Sequence, residues 1–241
     1  MTSEQFFSLL QGAWGTLVMS LLTFAIGGLA GLALAMARIS PARPVRVAAA
    51  AWIQLIQGTP LLVLMGLCFY GPNIAGIGSV PALLAATLAM SIYASAFLGE
   101  IWRGCIQAVH KSQWEAAECL GLTRWQRMRQ VVLPQALRLA TPPTVGFAVQ
   151  IIKNTSVASL VIGFAELSYN TKVLNNSTFQ PFVYFGAAAL LYFAMSYPLS
   201  RWSLALERKL NASRRCICRP SAIGAQALRC AACVARGVVL R

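Results

Sequence analysis

Gln150, Lys153 and Asn154 recur at i, i+3 and i+4 within an otherwise apolar segment, so one helix face there would carry two amides and an ammonium. An ionisable side chain in such a segment is costly against lipid and usually faces a cavity or a partner. The chemistry open to this face is the lining of a polar path, with Lys153 able to meet a carboxylate. The other reading is structural, a pairing of Lys153 with Glu100 or with another subunit. Glu100 also stands three residues before Arg103, the spacing of a same-face pair at the end of a helix. Covalent and hydrolytic chemistry lacks its parts. His110 is the only histidine, which excludes a Ser-His or multi-His site within the chain. No Gly-x4-Gly-Lys-Ser/Thr loop occurs, and the one Lys-Ser pair, Lys111-Ser112, follows His110 rather than glycine. The chain is therefore not expected to be an enzyme or to hydrolyse ATP, and no metal site is expected in it.

The elements that must hold these residues are membrane spans. Of 241 residues 58% are hydrophobic and 11% charged, far from a soluble composition. Five apolar segments are expected to cross, at about 14–37, 47–70, 81–103, 141–164 and 182–199. Met1 to Ala13 reads as a short lead. The first span carries Gly27-x3-Gly31, a stripe that lets another helix backbone come close. The second is interrupted at Gly58-Thr59-Pro60, where a kink is expected, with the Thr59 hydroxyl able to take up a freed backbone group. Pro142-Pro143 would open the fourth. The fifth would end in an interfacial anchor at Arg201 and Trp202, and Glu166 to Pro181 reads as an outer loop.

The net charge is +14, but nucleic-acid binding would need that charge on one face of a soluble domain. Instead three cations lie at Arg38 to Arg46, six at Arg103 to Arg138 and nine from Arg201 onward, leaving only Lys153 and Lys172. Alternate crossings put all three clusters on one side, which predicts an outer N-terminus and a cytoplasmic C-terminus. The first fourteen residues carry Glu4 and no Lys or Arg, so no secretory leader is expected. Seven cysteines do not suggest disulfides. Cys68, Cys105 and Cys119 sit in or beside apolar sequence, and Cys216, Cys218, Cys230 and Cys233 fall on the reducing side.

Between the third and fourth spans, Ser112 to Pro134 reads as two short helices and a tight turn. Ser112/Glu115 and Thr123/Gln126 each have capping-box spacing, Gly121 falls where positive φ is commonly needed, and Pro134 is expected to stop the second helix. Ala116 and Ala117 leave the first helix nearly bare between Trp114 and Leu120.

This stretch resembles the "EAA" loop of bacterial ABC importer permeases: Glu115-Ala116-Ala117, three residues, Gly121, nine residues, then Val131-Val132-Leu133-Pro134. Gly15-Thr16-Leu17, Gln57 to Leu62, Glu100 to Gly104, Leu133 to Arg138 and Lys153-Asn154-Thr155-Ser156 look like the polar amino acid branch of that family, over roughly residues 10–210. Two departures are Gln57, where the family commonly has Arg, and Asn154, where it often has Asp. The second removes a carboxylate that would suit a cationic ligand.

The resemblance implies an all-α membrane protein of type I ABC importer permease fold, with five spans and a cytoplasmic coupling hairpin. It implies separate ATPase subunits that hold ATP and Mg, a second permease of the same or similar chain, an external solute-binding protein and an amino acid substrate. It implies that Ala116, Ala117 and Gly121 seat against the ATPase, with Glu115 capping the helix or meeting a basic partner and Leu133-Pro134 closing the motif. Arg124, Arg127 and Arg129 are expected to be solvated or lipid-facing. Gln150, Lys153, Asn154 and Glu100 are the candidates for the substrate path. The competing reading is a secondary transporter or channel that uses Glu100 and Lys153 as a coupling pair. From Asn211 the resemblance stops, and the basic, Cys-containing tail reads as a segment without order held near anionic headgroups.

Overall fold

The computed structural model of the chain describes residues 2–76 and 78–217. The tail from 218, with Cys218, Cys230 and Cys233, lies outside them, as does the side chain of Cys216. The chain divides into two compact units, Met1–Leu206 and Glu207–Arg241, and all packing below belongs to the first. Among the described residues the secondary structure is entirely helical.

Helix α1 runs over Ser3–Ile39, so the expected lead is already helical. Gln5 Oε1 accepts from the Thr2 N–H at 2.8 Å and starts it earlier than hydropathy alone suggests. Its 37 residues reach about 55 Å, well beyond a hydrocarbon core. Helix α4 (Ala82–Gln107) is the central rod, and its buried face is rich in alanine: Ala85, Ala86, Ala89, Ala94 and Ala96. Small side chains there let α1 come close. A Cβ added at Gly27 would lie 2.8 Å from Ala94 Cβ, and one at Gly31 would lie 3.1 Å from both Leu98 Cβ and the Ser95 carbonyl. The Gly27-x3-Gly31 stripe is therefore a helix-packing seam, the arrangement that van der Waals attraction favours in lipid.

Helices α2 (Arg43–Gly58) and α3 (Leu61–Ile74) meet at 99°, a break rather than the expected kink. Pro60 donates no hydrogen bond and starts α3 as its N-cap. Thr59 Oγ1 donates to the Leu55 carbonyl at 2.8 Å, taking up an acceptor at the broken end.

Helix α5 (Lys111–Cys119) and the short α6 (Arg124–Gln126) follow. A π-helical turn, Arg127–Val132, then feeds directly into α7 (Leu133–Asn154). Neither Pro134 nor Pro142-Pro143 ends or opens a helix, contrary to expectation. Pro134 sits in the first turn of α7, directly after the π turn, where the wider ring displaces the carbonyl that a proline would strike. Pro142 is buried, and its carbonyl accepts from Ser203 Oγ of the last helix at 2.9 Å, so packing holds the helix through the pair.

Helix α8 (Ser156–Val161) continues beyond Thr155. The expected outer loop contains α9 (Leu167–Thr178), and α10 (Pro181–Ile217) runs on past Arg201 and Trp202. Among the described residues four helical stretches are long and apolar enough to cross a membrane: Ser3–Ile39, Ala82–Gln107, Arg124–Val161 and Pro181–Leu210. Counting the bent α2–α3 pair as one span brings the number to five.

Candidate functional site

The hairpin between α4 and α7 is seated on the membrane helices by its own small core. Ile106 and Val109 at the end of α4, Val132 in the π turn and Ala136 of α7 are buried together, with Ile39, Trp114 and Met128 packed against them. The turn forms as its sequence dictates. Gly121 has φ +72°, and the Thr123 box closes with Thr123 N–H donating to Gln126 Oε1 at 3.0 Å and Gln126 N–H to Thr123 Oγ1 at 3.4 Å.

The first box does not form. α5 begins one residue before Ser112, His110 is its N-cap, and His110 Nδ1 accepts from the Ser112 N–H at 3.3 Å. Glu115 is left to pair with Lys111 at 3.4 Å, an i,i+4 ion pair on an exposed face. Arg127 is mostly covered and pairs with Glu118 at 3.0 Å, so it is not a solvated arginine, whereas Arg124 and Arg129 are exposed. Gln135 Nε2 donates to Gln113 Oε1 at 3.2 Å, joining the two arms again.

Within this frame the coupling candidates separate. Ala117 is only 2% exposed and points into the hairpin, so its methyl is an internal contact of this chain. Glu115, Ala116 and Gly121 face outward, beside Leu120, which is 79% exposed. Leu133 is half-buried and Pro134 exposed on the other arm.

The polar face of α7 is helical as expected. Gln150 and Lys153 are exposed, Asn154 is half-buried near the Tyr93 hydroxyl of α4, and Ile151 and Ile152 fill the opposite, buried side. Rings of Tyr93, Phe97 and Phe147 lie beneath, with Phe97 and Phe147 stacked at 5.6 Å, and Trp102 Nε1 donates to Thr144 Oγ1 at 2.9 Å. The α4–α7 contact is thereby fixed. Gln57 Nε2 lies 3.5 Å from the Ala96 carbonyl.

Glu100 does not reach Lys153. Arg103 Nε donates to Glu100 Oε1 at 2.9 Å, and Arg38 Nε of α1 stands 3.7 Å from Glu100 Oε2. The second arginine was not legible from spacing within α4. Among the described residues Lys153 forms no ion pair.

Sequence reasoning also missed Glu166. It is fully buried. Its Oε1 accepts from the Ser168 and Tyr169 N–H groups at 2.9 and 3.2 Å, capping α9, and its Oε2 accepts from Tyr192 Oη at 2.7 Å and Thr16 Oγ1 at 3.3 Å. Thr16 Oγ1 also accepts from the Leu167 N–H at 3.3 Å. Close approach makes this possible: a Cβ at Gly15 would lie 2.9 Å from the Ala165 carbonyl, and one at Gly12 would lie 2.9 Å from Leu167 Cα. The Gly15-Thr16 pair was the available signal.

Residues 27–212 match the family described as "Binding-protein-dependent transport system inner membrane component". The probable amino-acid ABC transporter permease protein YckA of Bacillus subtilis (strain 168) is 32% identical over 206 residues, 86% of this chain and 90% of that one. The glutamine transport system permease protein GlnP of Escherichia coli (strain K12) is 34% identical over 204 residues, 84% and 93% of the two chains. Among solved structures, an amino acid ABC transporter crystallised with histidines superposes at a TM-score of 0.80 with 33% identity, covering 86% of this chain and 95% of that one. The MetNI methionine ABC transporter, at TM-score 0.67 and 19% identity, shares the fold. These matches give no support to a secondary transporter or channel. They also place the ATPase on a separate subunit, so this chain is not the enzyme of its system. By the extent of that match, the chain belongs to the inner-membrane components of binding-protein-dependent transport systems, the multi-pass permease subunits of ABC importers.

Proposed function

We propose that this permease carries a polar amino acid across the bacterial inner membrane as half of a path completed by a second permease, identical or similar. Separate ATPases holding ATP and Mg drive it, and an external solute-binding protein delivers the cargo. The relatives named for glutamine and L-cystine support that cargo class. With the cation clusters of the sequence on one side, the N-terminus lies outside and α5–α6 face the cytoplasm.

The observation that carries this reading is the anchoring of the hairpin. Its outward face presents Glu115, Ala116, Leu120 and Gly121 to the ATPase, while its inward face is packed on α1, α4 and α7. A displacement imposed on that knuckle is therefore delivered to three membrane helices at once. Gln150, Lys153 and Asn154 line the path, and the Lys153 ammonium, unpaired here, meets the substrate carboxylate. Glu100 serves the α1–α4 contact through Arg38 and Arg103 instead.

Proteoliposomes holding this chain with its ATPase, supplied with binding protein, glutamine and ATP, test the proposal. ATP-dependent accumulation of a polar amino acid is expected. Equal accumulation without any ATPase would overturn it.

A further inference from the structure

A cavity of about 560 Å³ between α1, α7 and α10 is lined almost wholly by apolar side chains, with Ser20 the exception. A second cavity, of about 550 Å³, has a different character. It lies between the C-terminal end of α1, the turn that follows it and the hairpin, and its size is within the roughly 300–1,000 Å³ usual for small-ligand sites. Arg46, Arg124 and Arg127 line it. Only Arg127 has a carboxylate partner, Glu118, and the Arg127 Nε is buried without a hydrogen-bond partner. Arg46 and Arg124 form no ion pair among the described residues. The cavity thus holds an excess of two positive charges that no ion pair among the described residues neutralises.

Its floor is the opposite in kind. Met36 and Ile39 belong to the last turns of a membrane-crossing helix, and the indoles of Trp114 and Trp125 stand on the hairpin side. Indoles at the end of a span sit at headgroup depth. A soluble anion would satisfy the arginines and leave that apolar floor wet, whereas an amphiphile with an anionic head satisfies both. We propose that this cavity binds an anionic phospholipid, with its phosphate held by Arg46, Arg124 and Arg127 and its glycerol and upper acyl chain lying over Met36 and Ile39. The bound lipid bridges α1 to the hairpin. The inference rests on the membrane placement of α1 and is independent of which solute is carried.

The test uses the purified complex of the chain with its ATPases, incubated in detergent with phosphatidylglycerol or phosphatidylethanolamine and weighed by native mass spectrometry. The wild-type complex is expected to retain one more phosphatidylglycerol per permease than an Arg46→Gln/Arg124→Gln complex, with about thirtyfold weaker retention in the variant. Phosphatidylethanolamine should show no difference, and excess inorganic phosphate should not displace the lipid. Met36→Trp, which fills the floor and leaves all three arginines, should lose the same lipid. Equal phosphatidylglycerol retention by wild type and either variant would overturn the proposal, as would a cavity covered by the ATPase and therefore empty in the wild-type complex. Displacement by phosphate alone, or equal retention of phosphatidylethanolamine, would overturn it too.

Discussion

The Tyr192 hydroxyl donates to Glu166 Oε2 at 2.7 Å, tying α10 to a carboxylate that also caps α9 and accepts from Thr16 of α1. This carboxylate is fully buried and is held by hydroxyls and backbone N–H groups, with no cation among its hydrogen-bond or ion-pair partners in the described residues. Glu166→Leu would strand those donors at once, so a loss of several kcal/mol, on the order of 3 or more, is expected. Tyr192→Phe removes one bond to a charged acceptor and should cost about 1.5–3 kcal/mol. Thermal or denaturant unfolding of the detergent-solubilised chain reads both. A Tyr192→Phe, Thr16→Val double mutant should be non-additive, because both hydroxyls share one oxygen.

Gly27 predicts a steric outcome. An alanine there would place its methyl 2.8 Å from Ala94 Cβ, so Gly27→Ala should lower the unfolding midpoint and cost about 1–3 kcal/mol. Removing the opposing methyl by Ala94→Gly in the same chain should recover part of that loss, because the Ser91 carbonyl, 3.0 Å from the same Cβ, remains and the new glycine weakens α4. If the double variant were no more stable than the single, the Ala94 methyl would not be the contact that limits α1.

Ala116 and Ala117 should part company. Ala116→Arg lies on the exposed face and is expected to reduce ATPase co-purification while leaving the thermal midpoint of the permease within about 0.5 kcal/mol of wild type. Ala117→Arg forces a charge into the hairpin core and should lower the midpoint itself. The measurement is paired: pull-down with the ATPase, and unfolding of the permease alone.

Lys153→Met should lower amino acid uptake by about tenfold or more, the value of one charge-assisted hydrogen bond, with assembly of the complex unchanged. Glu100→Gln should leave substrate affinity untouched and instead weaken the α1–α4 contact, since its partners are Arg38 and Arg103. Uptake kinetics, read as KM and maximal rate separately, distinguish the two effects. An unchanged KM and rate for Lys153→Met would remove it from the path.

What the sequence showed clearly was long-range composition and strict local rules. The Gly121 turn, the Thr123 box and the Gly27-x3-Gly31 seam each follow from a local pattern that the structure realises, and the apolar segments lie within its long helices. Ser112/Glu115 misled because the same spacing occurs inside a helix, and with His110 as the N-cap Glu115 pairs with Lys111 four residues before it rather than with an N-cap backbone N–H. Pro134 and Pro142 misled because a proline in a packed membrane helix is tolerated where neighbouring groups and local helix geometry accommodate it. Here Pro134 falls in the first turn of α7 directly after a π turn, and Pro142 is buried and bonded through its carbonyl to Ser203 of α10. Glu166 was invisible for a different reason. Its partners Thr16 and Tyr192 are distant in sequence, and nothing local announces that an acidic residue at the start of an outer segment will be buried.

The π-helical turn Arg127–Val132 sets a phase. A ring of this width takes in one residue beyond an α turn, so everything after it is rotated by about 100° relative to an uninterrupted helix. The hairpin arm, whose Arg127 pairs with Glu118, and the Gln150–Lys153–Asn154 face belong to one helical stretch, Arg124–Val161. A one-residue change in the α-helical stretch beyond the turn would swing that face through the same angle, whereas a deletion inside the turn would be absorbed by its return to α geometry.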